Sequence, residues 1–270
     1  MILSYKHKYI FFHVPKTGGS SLAVYLSQFL GDDDIMVDAW NDALRRGVAY
    51  NLFFLRKLNG PYALEYIKEA INRRIEDRKV LERPILDFAF RKIMKPHFGT
   101  ESVHMAWECV NQYDPVAFRD FKKFTVVRNP FAHAVSLFRW REKDWSLDIR
   151  HGMTKDSNSQ ITNETFKTYL RKLYTRMVEE ADFHPSGLDI FYDPSDEELK
   201  VDFVLRLEDI NSEIISLSRT LGLGPSEMKF PHAKYNGGVD MKRLYCSECE
   251  WLVRQIWETE LNLFDYSRPF

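Results

Sequence analysis

Apolar and polar positions divide the chain into strand-like runs and helix-like stripes in alternation. Tyr9-Ile-Phe-Phe-His-Val14 is a nearly continuous apolar, β-branched and aromatic run, which predicts a strand buried on both faces of a parallel sheet. A Gly-Gly loop follows. Leu22, Leu26, Phe29 and Leu30 then form the stripe of an amphipathic helix over Ser20 to Leu30, capped by serine. A second strand-loop-helix unit starts at Phe124-Thr-Val-Val127, turns at Arg128-Asn129-Pro130 and continues as a helix from Phe131 to Trp140, with Pro130 in its first turn. After a polar stretch near Lys155 to Asn163, the pattern predicts a helix over Glu164 to Glu180 and a strand over Val201 to Leu207. Further helices are predicted near Ile210 to Leu221 and Ser247 to Leu261. Alternating strands and helices imply an α/β fold, and neither repeats nor low-complexity linkers interrupt it.

A chain of 270 residues, 44% apolar, can bury a full core, and the length fits one domain over 1–270. Between about 32 and 96 lies a largely helical segment, clearest around Tyr62 to Ile71. Its acidic run Asp32-Asp33-Asp34 reads as a solvated turn. The 38 basic and 39 acidic residues cancel, which argues against a general nucleic-acid binder and leaves any anionic ligand to a local cluster. The cysteines Cys109, Cys246 and Cys249 give no disulfide framework and suit a reducing compartment. Cys246-Ser-Glu-Cys249 lacks the second ligand pair that zinc would want, so no metal is expected. No apolar stretch reaches the length of a membrane span, and the run before Pro15 is too short for a signal peptide.

The chemistry concentrates in the first unit. A glycine-rich turn between a buried strand and a helix start exposes backbone N–H groups suited to phosphate or sulfate, and Lys16 with neighbouring hydroxyls adds charge and donors. It is not the Walker pattern, because Lys16 precedes the glycines rather than following them. His13-Val-Pro-Lys-Thr-Gly-Gly-Ser-Ser-Leu22 resembles the 5′-phosphosulfate loop of carbohydrate sulfotransferases that use 3′-phosphoadenosine 5′-phosphosulfate (PAPS), the group containing heparan sulfate 2-O-sulfotransferase and its bacterial relatives. Phe124 to Ser136 resembles that family's 3′-phosphate element. Two further similarities are Val201 to Ile210, with its Arg-x-Glu turn, and the region from His232 to Asn236 followed by a helix and Leu263-Phe-Asp-Tyr266. The resemblance covers Tyr9 to Leu30 and about Ser102 to the end. It implies a central parallel sheet flanked by helices, related to P-loop nucleotide kinases, and leaves 32–96 to shape acceptor choice.

By this resemblance Lys16 meets the 5′-phosphate and the bridging oxygen, offsetting charge on the departing adenosine 3′,5′-bisphosphate (PAP). Thr17, Gly18, Gly19, Ser20 and Ser21 donate to the phosphosulfate, while Arg128 and Ser136 hold the 3′-phosphate. The family usually carries arginine where this chain has His133, a departure expected to weaken that contact or make it depend on pH. His104, on a segment read as helical, resembles the family's base, with Glu101, Glu108 and His97 as rivals and His13 packing under the loop. Trp251 and Trp257 read as core residues of a late amphipathic helix. The expected activity is sulfuryl transfer from PAPS to an acceptor hydroxyl, by resemblance on a carbohydrate. A nucleotide-dependent kinase and a non-catalytic binder of PAP or sulfated glycan are the alternatives. With the loop starting at Pro15 there is no room for a Golgi-type stem, so the expectation is a cytoplasmic enzyme of bacterial or viral type.

Overall fold

The apolar runs at Tyr9, Phe124 and Phe203 become neighbouring strands, in a computed structural model that describes residues 1–60, 63–76, 85–144, 162–180, 183–225, 229–231 and 241–270. The first half contains β1 (Ile2–Ser4), β2 (Tyr9–Phe12), α1 (Gly19–Ser27), β3 (Ile35–Met36), α2 (Trp40–Leu44), α3 (Leu52–Leu58), α4 (Ala63–Glu76), α5 (Ile85–Phe98), α6 (Trp107–Tyr113) and α7 (Pro115–Asp120). The second contains β4 (Lys122–Val127), α8 (Pro130–Asp144), α9 (Asn163–Glu179), β5 (Tyr192–Asp193), β6 (Glu198–Leu199), β7 (Phe203–Arg206), α10 (Ile210–Thr220), α11 (Met241–Leu244), α12 (Ser247–Ile256) and α13 (Glu258–Leu263).

The main sheet has the order β3-β1-β2-β4-β7. Strands β2, β4 and β7 are parallel neighbours, with Phe11 beside Phe124 and Phe124 beside Phe203. The central sheet is parallel as expected, with one antiparallel member. Strand β1 runs antiparallel to both β2 and β3, so four of the five strands point one way. Every residue of β2 is buried, as its unbroken apolar run requires. Phe11, Phe124 and Phe203 stack across three strands, with ring centroids 5.4 and 5.2 Å apart. A second apolar cluster joins α8, α9 and α12 through Phe131, Phe138, Phe166, Leu252 and Trp257.

The acidic run after α1 is not wholly a solvated turn. Asp33 is exposed, but Asp34 is 1% exposed and its carboxylate accepts from Ser4 Oγ, Tyr5 N, Lys6 N and Gly31 N at 2.6 to 3.1 Å. It closes the β1–β2 connection. Helix α1 also differs from expectation. Its N-cap is Gly18, in the left-handed conformation (φ 87°), with no side-chain cap. The late helix breaks at Trp257 into α12 and α13, where Trp257 is 1% exposed whereas Trp251 is half exposed. Among the described residues no helix is long and apolar enough to cross a membrane. The polar stretch at 155–161 and the expected similarity at 232–236 lie outside the described residues.

Candidate active site

Parallel strands β2 and β4 end side by side, so the loops after them meet at one edge of the sheet. The first loop runs from His13 to Gly19, and its carbonyls are tied down one after another. His104 Nδ1 donates to His13 O at 2.7 Å, and Thr17 Oγ1 donates to Val14 O at 3.1 Å. His133 Nε2 donates to Pro15 O at 2.8 Å, and Arg128 Nη1 donates to Lys16 O at 3.2 Å. Four successive carbonyls thus have side-chain donors. These tethers hold Lys16 at φ 63°, a left-handed conformation that disfavours a side chain with a Cβ. Its ammonium lies 5.9 Å from the centre of the Trp140 ring. Ser136 precedes Trp140 by one turn of α8 and therefore shares its face of the helix.

The left-handed backbone (φ 87°) requires glycine at 18, and close packing requires it at 19. A Cβ on Gly18 would come 2.6 Å from Leu207 Cδ1, and one on Gly19 would come 2.0 Å from His13 Cδ2. The His13 ring, 4% exposed, packs beneath the start of α1 and meets the His104 ring edge-on at 4.7 Å. Lys16, Gly18, Gly19, Arg128 and His104 are therefore gathered around one loop.

His104 lies in a bend before α6 rather than on a helix. A carbonyl only accepts, so Nδ1 carries the proton toward His13 O, and the neutral ring has its basic lone pair on Nε2. The rivals fit less well. Glu101 accepts from Lys92 and Lys95 at 3.0 and 3.1 Å. Desolvation raises its pKa, but the two ammoniums outweigh that and leave it lowered, a weak base. Burial and the Lys57 ammonium lower the pKa of His97. Glu108 is exposed on the first turn of α6.

His133, where the resembling family usually carries arginine, turns its ring onto the anion loop. It is 4% exposed, bonded to the loop, and held by desolvation at a pKa of about 3, with the Pro15 carbonyl opposing that shift. Its lowered pKa keeps the ring neutral near pH 7, and its bond to the Pro15 carbonyl fastens the loop. Burial likewise lowers the Arg128 pKa, and Glu208 partly offsets this.

The later similarities close on the same turn. Glu208 accepts from Asn129 N at 2.8 Å and from Tyr266 Oη at 3.0 Å. Arg206 donates to Phe264 O at 2.6 Å and lies over the Tyr266 ring, while Asn129 Nδ2 donates to Ser267 O. Asn129 and Glu208 each stand in a local turn motif of the sequence, but their pairing across 79 residues leaves no local signal. Beside the loop is a cavity of about 20 Å³ lined by Thr17, Arg128, His133, Ser186, Trp257 and Glu260. Trp257 Nε1 and Glu260 Oε1 have no hydrogen-bond partner among the described residues.

A strand-loop-helix with lysine before its glycines is tied here to an arginine turn on the next parallel strand, an arrangement whose backbone N–H groups and cations suit an anion. The model of the sulfotransferase family matches residues 1–267. The chain belongs to the sulfotransferase family. It is accordingly a transferase that handles sulfuryl groups. No curated protein and no solved structure matches it. Among the described residues of this sulfotransferase, no three His, Cys, Asp or Glu side chains are arranged to hold a metal.

Proposed function

We propose that the chain transfers a sulfuryl group from PAPS to an acceptor hydroxyl on a carbohydrate, by in-line displacement. The observation that carries this reading is the run of four tethered carbonyls from His13 to Lys16. With its oxygens bound back to the protein, the loop keeps a fixed shape at the N-terminus of α1, where helix geometry leaves N–H groups and positive dipole for an anion. The donor set suits PAPS: Lys16, Ser20, Ser21, Arg128 and Ser136 supply cationic or hydroxyl groups, and Thr17, whose hydroxyl proton goes to Val14 O, supplies its backbone N–H.

In this reading Thr17, Gly18, Gly19, Ser20 and Ser21 hold the phosphosulfate. Lys16 offsets negative charge that grows on the bridging oxygen as the sulfur–oxygen bond breaks. Arg128 and Ser136 hold the 3′-phosphate, the planar guanidinium being partly buried before the ligand arrives. His104 takes the acceptor hydroxyl proton on Nε2, since its Nδ1 proton is committed to His13 O. The carbohydrate acceptor rests on the sequence resemblance.

Thermal melting with PAP and incubation with labelled PAPS and a hydroxyl panel test the proposal together. PAP should raise the melting temperature, since a ligand that binds only the folded state must stabilise it, and label should appear in a sugar. No shift at saturating PAP, or a shift only with ATP and magnesium, would overturn it. Binding of PAP without transfer to any acceptor would leave a binding module in its place.

A further inference from the structure

Away from the anion loop, the helix α12 starts with two thiols whose environments differ. Cys246 is the N-cap residue, and its sulfur accepts from Cys249 N at 3.5 Å. Cys249, three residues on, is fully buried in the cluster with Phe166, Tyr245 and Leu252, whereas Cys246 is half-buried. Their sulfurs lie 3.3 Å apart. A disulfide needs about 2.0 Å, so small rotations of the two side chains would close the gap within one turn of chain.

The two sulfurs also differ in reactivity. Desolvation raises the Cys246 pKa, but hydrogen bonding at its sulfur, first from the Cys249 backbone N–H, outweighs it and leaves it lowered. Burial pushes Cys249 the other way, to about 11, and the neighbouring Cys246 sulfur adds to that rise. Capping Cys246 would remove its charge and make Cys249 easier to ionise. One thiol is thus suited to attack and the other to resolve.

We propose that Cys246 and Cys249 form a redox-active dithiol that a small-molecule disulfide converts reversibly to an intramolecular disulfide. The Cys246 thiolate attacks one sulfur of the oxidant, whose S–S bond breaks and releases one thiol after protonation. Cys249 then loses its proton and attacks Cys246 Sγ, expelling the second thiol. The protein gives up two electrons and two protons, and the oxidant becomes two thiols. Such transient use suits a chain whose sparse cysteines offer no structural framework. The pair adjoins Tyr245, whose hydroxyl donates to Phe131 O at 2.8 Å in the first turn of α8.

The test equilibrates the folded full chain in glutathione buffers from fully reduced to fully oxidised, followed by acid quenching, alkylation and peptide mass spectrometry. At the oxidised end the peptide holding both cysteines should resist alkylation and be lighter by two hydrogens, and dithiothreitol should reverse both changes. Cys249→Ala should accumulate a glutathione adduct at Cys246. Cys246→Ser, which retains a good cap, should leave Cys249 unmodified. Cys109, half-buried with a pKa raised by desolvation, should alkylate at least about tenfold more slowly than Cys246. If Cys249→Ala fails to fold, the wild-type result decides alone. Two thiols still alkylatable in fully oxidised buffer, or a stable adduct on wild-type Cys246 beside an alkylatable Cys249, would overturn the proposal.

Discussion

His104 can be examined for two jobs separately, because one ring nitrogen braces the loop and the other would take a proton. Asparagine places an amide nitrogen where Nδ1 stands and so can still donate to His13 O, but it cannot act as a base at neutral pH. His104→Asn is expected to lower turnover by roughly 10²- to 10³-fold while the PAP-induced melting shift stays as in the wild type. Equal loss of both would make His104 a brace only, and unchanged turnover would move the base elsewhere. Gly19→Ala tests the floor of the same loop. The new methyl would sit 2.0 Å from a His13 ring that has no space to move, so stability should fall by about 1–3 kcal/mol and PAP affinity should fall with it. A urea midpoint matching the wild type would refute this. The glycines and lysine of the loop were legible in the sequence because their spacing is local. The donors that fix its carbonyls, His133 and Arg128, come from more than a hundred residues away, and only folding reveals the pairing.

Elements were legible in proportion to how much of their pattern is local. Helices α9 and α10 and strands β4 and β7 follow the periodicity closely, because each has an apolar stripe or run long enough to outweigh its neighbours. Strand β1, three residues long, carries too few positions to show a period, and it was missed along with β3. Its antiparallel place depends on Asp34, which looked like surface charge within an acidic triplet. Removing that carboxylate strands donors from Ser4, Tyr5, Lys6 and Gly31 together. Asp34→Ala should therefore cost about 2–4 kcal/mol of stability by urea unfolding. Asp33→Ala removes only an exposed pair with Arg56 and should change stability by less than about 1 kcal/mol. Equal effects would mean that the buried clamp contributes no more than the surface pair. The break between α12 and α13 also escaped the pattern, since the buried Trp257 ring continues the apolar stripe while its backbone leaves the helix.

Across the whole molecule, buried titratable groups pull stability in opposite directions with pH. His133 resists protonation down to about pH 3, whereas the unfolded ring takes a proton near 6.5, so its contribution is lost as pH falls through that interval. Glu260 and Asp87 act in the other direction. Desolvation raises each to about 7, helped by Asp189 and Asp38 respectively, against Ser186 for Glu260 and the Asn41 N–H and Arg91 for Asp87. The unfolded carboxyls ionise near 4.5 and 3.8, so this stability is complete below those values and lost as pH rises to about 7. Glu260 has the larger consequence for the site, since it lines the same cavity as Arg128 and His133 and its Oε1 has no partner among the described residues. Glutamine there cannot ionise. Glu260→Gln should gain stability relative to the wild type as pH rises from about 5 to 8, by on the order of 3 kcal/mol across the range. Parallel melting curves for the two proteins would show that Glu260 titrates as an ordinary carboxyl, with its charge met inside the cavity by the Arg128 guanidinium.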